Sequence, residues 1–200
     1  MTWLLAVAAY LLGGFPTSYM VARMRGVDLR RQGSGNLGAT NAFRVLGWKA
    51  ATPIFIVDIA KGFLPAFLFA QWDGTEAAGW AFLYGAAAIA GHVFSPYVGF
   101  KGGKGVATGA GVFLALAPLA VGVGFLVWVA LVAVTGYVSL ASMAAAVALP
   151  LVIAATRGTA PVFWVAAAVA AFVLFAHRAN IRRLLHGQEH RFGRRVGAAP

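Results

Sequence analysis

The chain has 200 residues, 61% of them hydrophobic and only 10% charged, with no cysteine. A soluble domain carries about 25% charged residues, so this composition excludes one and points to a single membrane domain over 1–200. The net charge of +11 would suit nucleic acid, but the basic residues sit between apolar runs, and a positive-inside orientation accounts for them better.

Residues 2–22 are the first predicted span, since about 20 apolar residues cross the hydrocarbon core. The run lacks a basic leader region, so it is expected to be retained as a helix and not cleaved as a signal peptide. A polar segment follows with Arg23, Arg25, Arg30, Arg31, Arg44 and Lys49. Within it, Ser34, Gly35, Asn36, Gly38, Thr40 and Asn41 place hydroxyl and amide side chains among glycines. That packs many hydrogen-bonding groups into little volume, which suits a polyoxygenated ligand, and Arg44 adds a fork able to grip phosphate. The same residue types also build ordinary turns through side-chain-to-backbone bonds.

The second span, 50–70, contains Asp58 and Lys61. Charges inside a span are costly and point either to function or, at three residues apart, to a mutual ion pair. A polar turn at 71–76 leads into the third span, 77–97, whose His92 is read as packing. Next comes Lys101-Gly102-Gly103-Lys104-Gly105, directly before a long apolar run. Glycines let backbone N–H groups approach an anion, lysine adds charge, and a following helix aims its N-terminal dipole at the same spot. The spacing is not that of a P-loop. An anion cradle and a flexible basic loop are the two readings of this stretch.

Residues 106–134 carry no charge but are broken by Pro118. Two further spans, 138–156 and 160–177, precede a basic tail over 178–200. If 106–134 crosses twice, as spans 105–117 and 119–134, then 14 of the 16 basic residues share one face. The expectation is therefore an all-α membrane protein of about seven spans, N-terminus outside and C-terminus cytoplasmic. The two halves are short for full spans. There is no inverted repeat of the transporter kind, and the polar motifs lie at one face, away from the midplane.

Ser139 and Ser142 share a helix face, where serines commonly back-bond or pack. His177 and Asn180 share another at the water boundary, and His177 there could be a general base, a phosphate ligand or simply a helix-end cation. His186-Gly187-Gln188-Glu189-His190 fits a zinc pattern. Gly187 weakens the helix such a site needs and no further ligand is near, so no metal is expected.

Taken together, the Ser34–Asn41, Lys101–Thr108 and His177/Asn180/Gly187-Gln188-Glu189 motifs resemble those of the bacterial acyl-phosphate:glycerol-3-phosphate acyltransferases, the PlsY family. The resemblance covers the chain to about Arg191. It implies acyl transfer from an acyl phosphate to the 1-hydroxyl of glycerol 3-phosphate, without a cofactor, at a bacterial plasma (inner) membrane. Its implied partners are these two substrates and membrane lipids, with no nucleic acid, and it allows contact with an enzyme that forms the acyl phosphate. Glycerol-phosphate acyltransferases that use thioester donors carry a His-x4-Asp motif, and none of the four histidines here has an Asp five residues on. The catalytic set implied is Arg44, Lys104, His177 and Asn180. Substrate binding falls to Ser34, Gly35, Asn36, Thr40, Asn41, Lys101, Gly102, Gly103, Gly105, Ser142 and Glu189. The base is either His177 or the substrate's own phosphate. An anion transporter using the same basic loops is the alternative reading.

Overall fold

A computed structural model describes residues 1–74 and 78–192, so part of the polar turn at 71–76, the first residue of the third expected span and the tail beyond 192 lie outside it. The described residues form helices and turns with no strand. The chain divides into two compact units, Met1–Leu116 and Ala117–Pro200.

In the first unit, α1 (Thr2–Gly14) and α2 (Thr17–Arg23) are one apolar run interrupted at Phe15–Pro16. A helix leaves its last carbonyls without helical donors. Here Ser95 Oγ donates to Gly14 O at 2.6 Å, and Lys61 Nζ and Thr17 N each donate to Phe15 O at 3.0 Å. The short α3 (Ala39–Leu46) is amphipathic and ends at Gly47, where α4 (Trp48–Leu64) begins. Pro65 then starts a π-helical turn, Pro65–Phe69, before the three-residue α5 (Ala70–Trp72). A proline without an N–H is a usual cause of such a bulge. After α6 (Ala78–Val93) comes α7 (Val106–Leu116).

In this unit α1 packs on α6, and α4 packs on α7 and α3. Lipid tails are as apolar as leucine, so helices in a bilayer associate by close packing of small residues. A Cβ on Gly62 would collide with Thr108 O, and one on Gly111 with Ile59 O, so α4 and α7 touch backbone to backbone.

The second unit holds α8 (Pro118–Thr135), α9 (Val138–Arg157), α10 (Pro161–Ala176) and α11 (Arg178–Leu185). Helix α9 packs against both α8 and α10. The axes of α10 and α11 differ by 57°, with His177 at the break.

Among the described residues, five helical stretches are long and apolar enough to cross a membrane, or six if α10 and α11 make one span. Large apolar side chains such as Trp3, Leu4, Phe125, Leu126 and Trp164 are exposed on them, which suits contact with lipid. Helix α7 is apolar but has 11 residues, about 16 Å against a hydrocarbon core of about 30 Å. The expected break at Pro118 is present, since α7 stops at Leu116 and α8 starts at Pro118.

Candidate active site

The glycine–lysine loop is built on the end of α6. A helix leaves its last carbonyls without donors. Here the chain doubles back through left-handed backbone at Gly99 (φ 67°) and Phe100 (φ 61°), the one non-glycine residue with positive φ among the described residues. Phe100 N donates to Ser95 O at 2.8 Å, Gly102 N to Val93 O at 2.9 Å and Gly103 N to His92 O at 3.1 Å. A Cβ on Gly102 would strike the His92 carbonyl, and one on Gly103 the His92 imidazole. In this structure the N–H groups of Gly102 and Gly103 cap α6. A helix opens with N–H groups that have no intrahelical partner, and at that end of α7 the chain places half-buried Lys104 and buried Gly105. Lys101 is exposed.

Beneath this loop lies a small cavity, large enough for about one water, lined by Thr17, Ser18, Leu37, Asp58, Lys61, His92, Ser95, Gly102 and Gly103. Asp58 and Lys61 are a buried ion pair at 2.8 Å, so the second alternative for these charges is the one the fold adopts. His92 lies on the same polar cluster, its Nδ1 3.9 Å from Asp58 Oδ1. It is more than the packing residue expected, because the loop returns onto it.

In the first polar segment, Asn41 is fully buried and its side chain is spent on the backbone. It accepts from Ser34 N at 2.8 Å and donates to Leu29 O and Gln32 O at 3.2 and 3.1 Å. Asn41 therefore shapes the loop from inside. Ser18 Oγ pins the same loop through Leu37 O at 2.9 Å. Ser34 and Thr40 are exposed, and Gly35, Asn36 and Arg44 are half-buried. Arg30 is taken by Asp28 at 2.8 Å, and that guanidinium holds the Asp28 carboxyl down at about 2.

In the second unit, three donors converge on the buried carboxylate of Glu189. Ser139 Oγ and Asn180 Nδ2 reach Oε1 at 3.0 and 2.8 Å, and Arg183 Nε reaches Oε2 at 2.7 Å. Burial pushes the Glu189 carboxyl up, but these hydrogen bonds outweigh it and hold the group below its ordinary value. Glu189 thus organises the side chains of Ser139, Asn180 and Arg183. No group of three metal-binding side chains occurs among the described residues. Beyond it, Arg191 Nε donates to Tyr137 OH at 3.1 Å and Phe192 N to Gly136 O at 2.7 Å, strapping this segment to the α8–α9 turn.

His177 is buried at the α10–α11 break, with Nδ1 2.8 Å from Val173 O. A carbonyl can only accept, so Nδ1 carries the proton, and in the neutral ring the basic lone pair is on Nε2. Ser142, also buried, accepts from Trp128 Nε1 at 3.2 Å, whereas Ser139 turns to Glu189. The two serines share a face but not a partner. His92, Ser18, Ser95, Trp128 and Arg183 are polar groups that sequence reasoning did not place in these networks.

A sequence model described as glycerol-3-phosphate acyltransferase matches residues 3–187. The chain belongs to the glycerol-3-phosphate acyltransferase family. It is 41% identical to the glycerol-3-phosphate acyltransferase of Geobacter sulfurreducens, over 94% of this chain and 96% of that one. It is 41% identical to that of Aquifex aeolicus (94% and 97% covered) and 47% identical to that of Geobacter metallireducens (94% and 96%). Among solved structures it is similar to PlsY (YgiH), an integral membrane glycerol 3-phosphate acyltransferase, in its glycerol 3-phosphate form. There the TM-score is 0.90 at 41% identity, covering 96% of each chain. The lysophosphatidic acid form of that protein gives 0.87 at 40%, covering 96% of this chain and 95% of that one. This acyltransferase is accordingly an integral membrane enzyme of phospholipid synthesis.

Proposed function

We propose that this acyltransferase uses an acyl phosphate as donor and makes 1-acylglycerol 3-phosphate and inorganic phosphate. The 1-hydroxyl oxygen of glycerol 3-phosphate attacks the acyl carbonyl carbon, and the bond from that carbon to the phosphate oxygen breaks. Phosphate leaves with the electron pair. The hydroxyl proton passes to His177 Nε2 or to a phosphate oxygen of the substrate. The donor is already activated, so no covalent enzyme intermediate is required.

The observation that carries this reading is the loop after α6. It is held on the helix end by two backbone hydrogen bonds, and the residues that follow, Lys104, Gly105 and the opening of α7, combine a cation with helix N–H groups. We assign the acyl-phosphate head to them, with Lys101 at the edge, and the developing oxyanion to Lys104 or the adjacent N–H groups. Glycerol 3-phosphate is assigned to Arg44, Lys104, His177 and Asn180. Ser34, Gly35, Asn36 and Thr40 supply polar lining, and Ser142 a further donor. The donor assignment rests on the missing His-x4-Asp motif. Lysophosphatidic acid and glycerol 3-phosphate are named in the PlsY forms above, which supports the same substrate class here. Seven crossings, with α7 and α8 each counted, put 14 of the 16 basic residues on the cytoplasmic face, and the reaction with them.

Purified full-length protein given glycerol 3-phosphate and palmitoyl phosphate tests the reading: one phosphate should appear per lysophosphatidate. K104A should lower kcat/KM about 100-fold or more. H177A without turnover makes His177 the base, and near-normal kcat with raised KM makes it a binding group and leaves the base to substrate phosphate. Product with a thioester donor alone would overturn the donor assignment.

A further inference from the structure

We propose that His92 is a positioning residue for the glycine–lysine loop, braced from below by the buried Asp58–Lys61 pair. The inference rests on the reading of that loop as the acyl-phosphate holder. Three observations carry it.

First, His92 meets the loop twice at one residue. Its carbonyl accepts from Gly103 N at 3.1 Å, and its imidazole occupies the space a Cβ on Gly103 would need. Gly103 is followed directly by Lys104, so a change in the tilt of this ring is passed to the cation and to the first N–H groups of α7.

Second, the other edge of the ring faces charge. Nδ1 is 3.9 Å from Asp58 Oδ1, and the Asp58 carboxylate is fixed by Lys61, whose ammonium also holds Phe15 O. Imidazole, carboxylate and ammonium are each at least nine-tenths buried. Polar groups at such a depth are costly, and a leucine would fill the same volume without that cost. A histidine between a fixed carboxylate and a glycine suits positioning better than filling.

Third, the cluster joins the loop to the break in the first apolar run. His92 Nδ1 and Thr17 Oγ1 are buried with no hydrogen-bond partner among the described residues, and both line the cavity that Gly102 and Gly103 close. Ser95, at the base of the loop, holds Gly14 O. The loop therefore sits on one polar joint made by α4, the end of α6 and the α1–α2 break.

The test uses the full-length enzyme with H92A, with H92Q, whose amide reaches to the same depth, and with G103A, which pushes on the ring from the other side. Steady-state kinetics, thermal unfolding and hydrogen exchange over 94–105 are read on each. H92A and G103A should raise KM for acyl phosphate about tenfold or more with kcat within about threefold. Exchange at the Gly102 and Gly103 amides should quicken by about tenfold or more. H92Q should recover most of both. Wild-type exchange and KM in H92A would overturn the proposal, as would a loss of activity that only follows the folded fraction. If H92A does not fold, G103A and H92Q decide on the same readouts. Should the wild type fail to use acyl phosphate, the reading of the reaction fails, while the exchange data still judge the link from His92 to the loop.

Discussion

Asn180 donates its side-chain amide to Oε1 of Glu189 at 2.8 Å, and the carboxylate that orients it is itself held by Ser139 and Arg183. A residue expected to face substrate is thereby set in place by one expected to do the same.

Glu189 should therefore set the acid limit of the fold. Its carboxyl lies below the ordinary 4.5 in the folded chain, so the stability it contributes is complete above that value and is lost as pH falls through the folded value. E189A leaves Arg183 without its anion, Ser139 and Asn180 without their acceptor, and should cost about 3–5 kcal/mol. Thermal unfolding in detergent from pH 7 down to pH 3 checks both points: wild type should lose stability below about 4.5 and E189Q should be flatter there.

The Asp58–Lys61 pair gives a different signature. K61M leaves a buried carboxylate uncompensated and should cost about 3–5 kcal/mol. The double variant D58L/K61M removes both charges together, and the Phe15 carbonyl loses Lys61 but keeps Thr17 N as its donor at 3.0 Å, so the change should cost about 1–3 kcal/mol. Denaturation of the two variants side by side should show the double variant as the more stable.

The contact between α4 and α7 predicts that G111A is destabilising though it adds one methyl. Its Cβ meets the Ile59 carbonyl, backbone that cannot swing aside, so the helices must part at about 1–3 kcal/mol. G122A, on α8 with open space around the added methyl, should be neutral or slightly stabilising. Equal melting temperatures for the two would contradict this account of the packing.

Much of this was legible in the residues. The apolar runs and the stop at Pro118 locate the helices, because chain length against bilayer thickness leaves few choices. The three-residue spacing of Asp58 and Lys61 offers their pairing as one of two readings, and the fold decides between them. What the sequence does not carry is the partner of a side chain whose contact forms only when distant segments meet. His92 looks like packing until the loop at 100–103 returns onto it. Asn41 and Glu189 have the chemistry of ligand groups, and in the fold they spend it on Leu29, Gln32, Ser139 and Arg183. The end of the last span at His177 is legible, but not that a second helix, α11, leaves it at 57°. The glycines of the loop were identified, but not that Gly102 and Gly103 make room for the His92 backbone and ring beside them.

The most direct test of the central claim is acyl transfer by the purified protein with glycerol 3-phosphate and, in parallel, palmitoyl phosphate, palmitoyl-CoA and palmitoyl acyl carrier protein. Lysophosphatidate formed with palmitoyl phosphate alone, with matching release of phosphate, is the predicted result. Product formed only with a thioester donor would contradict it.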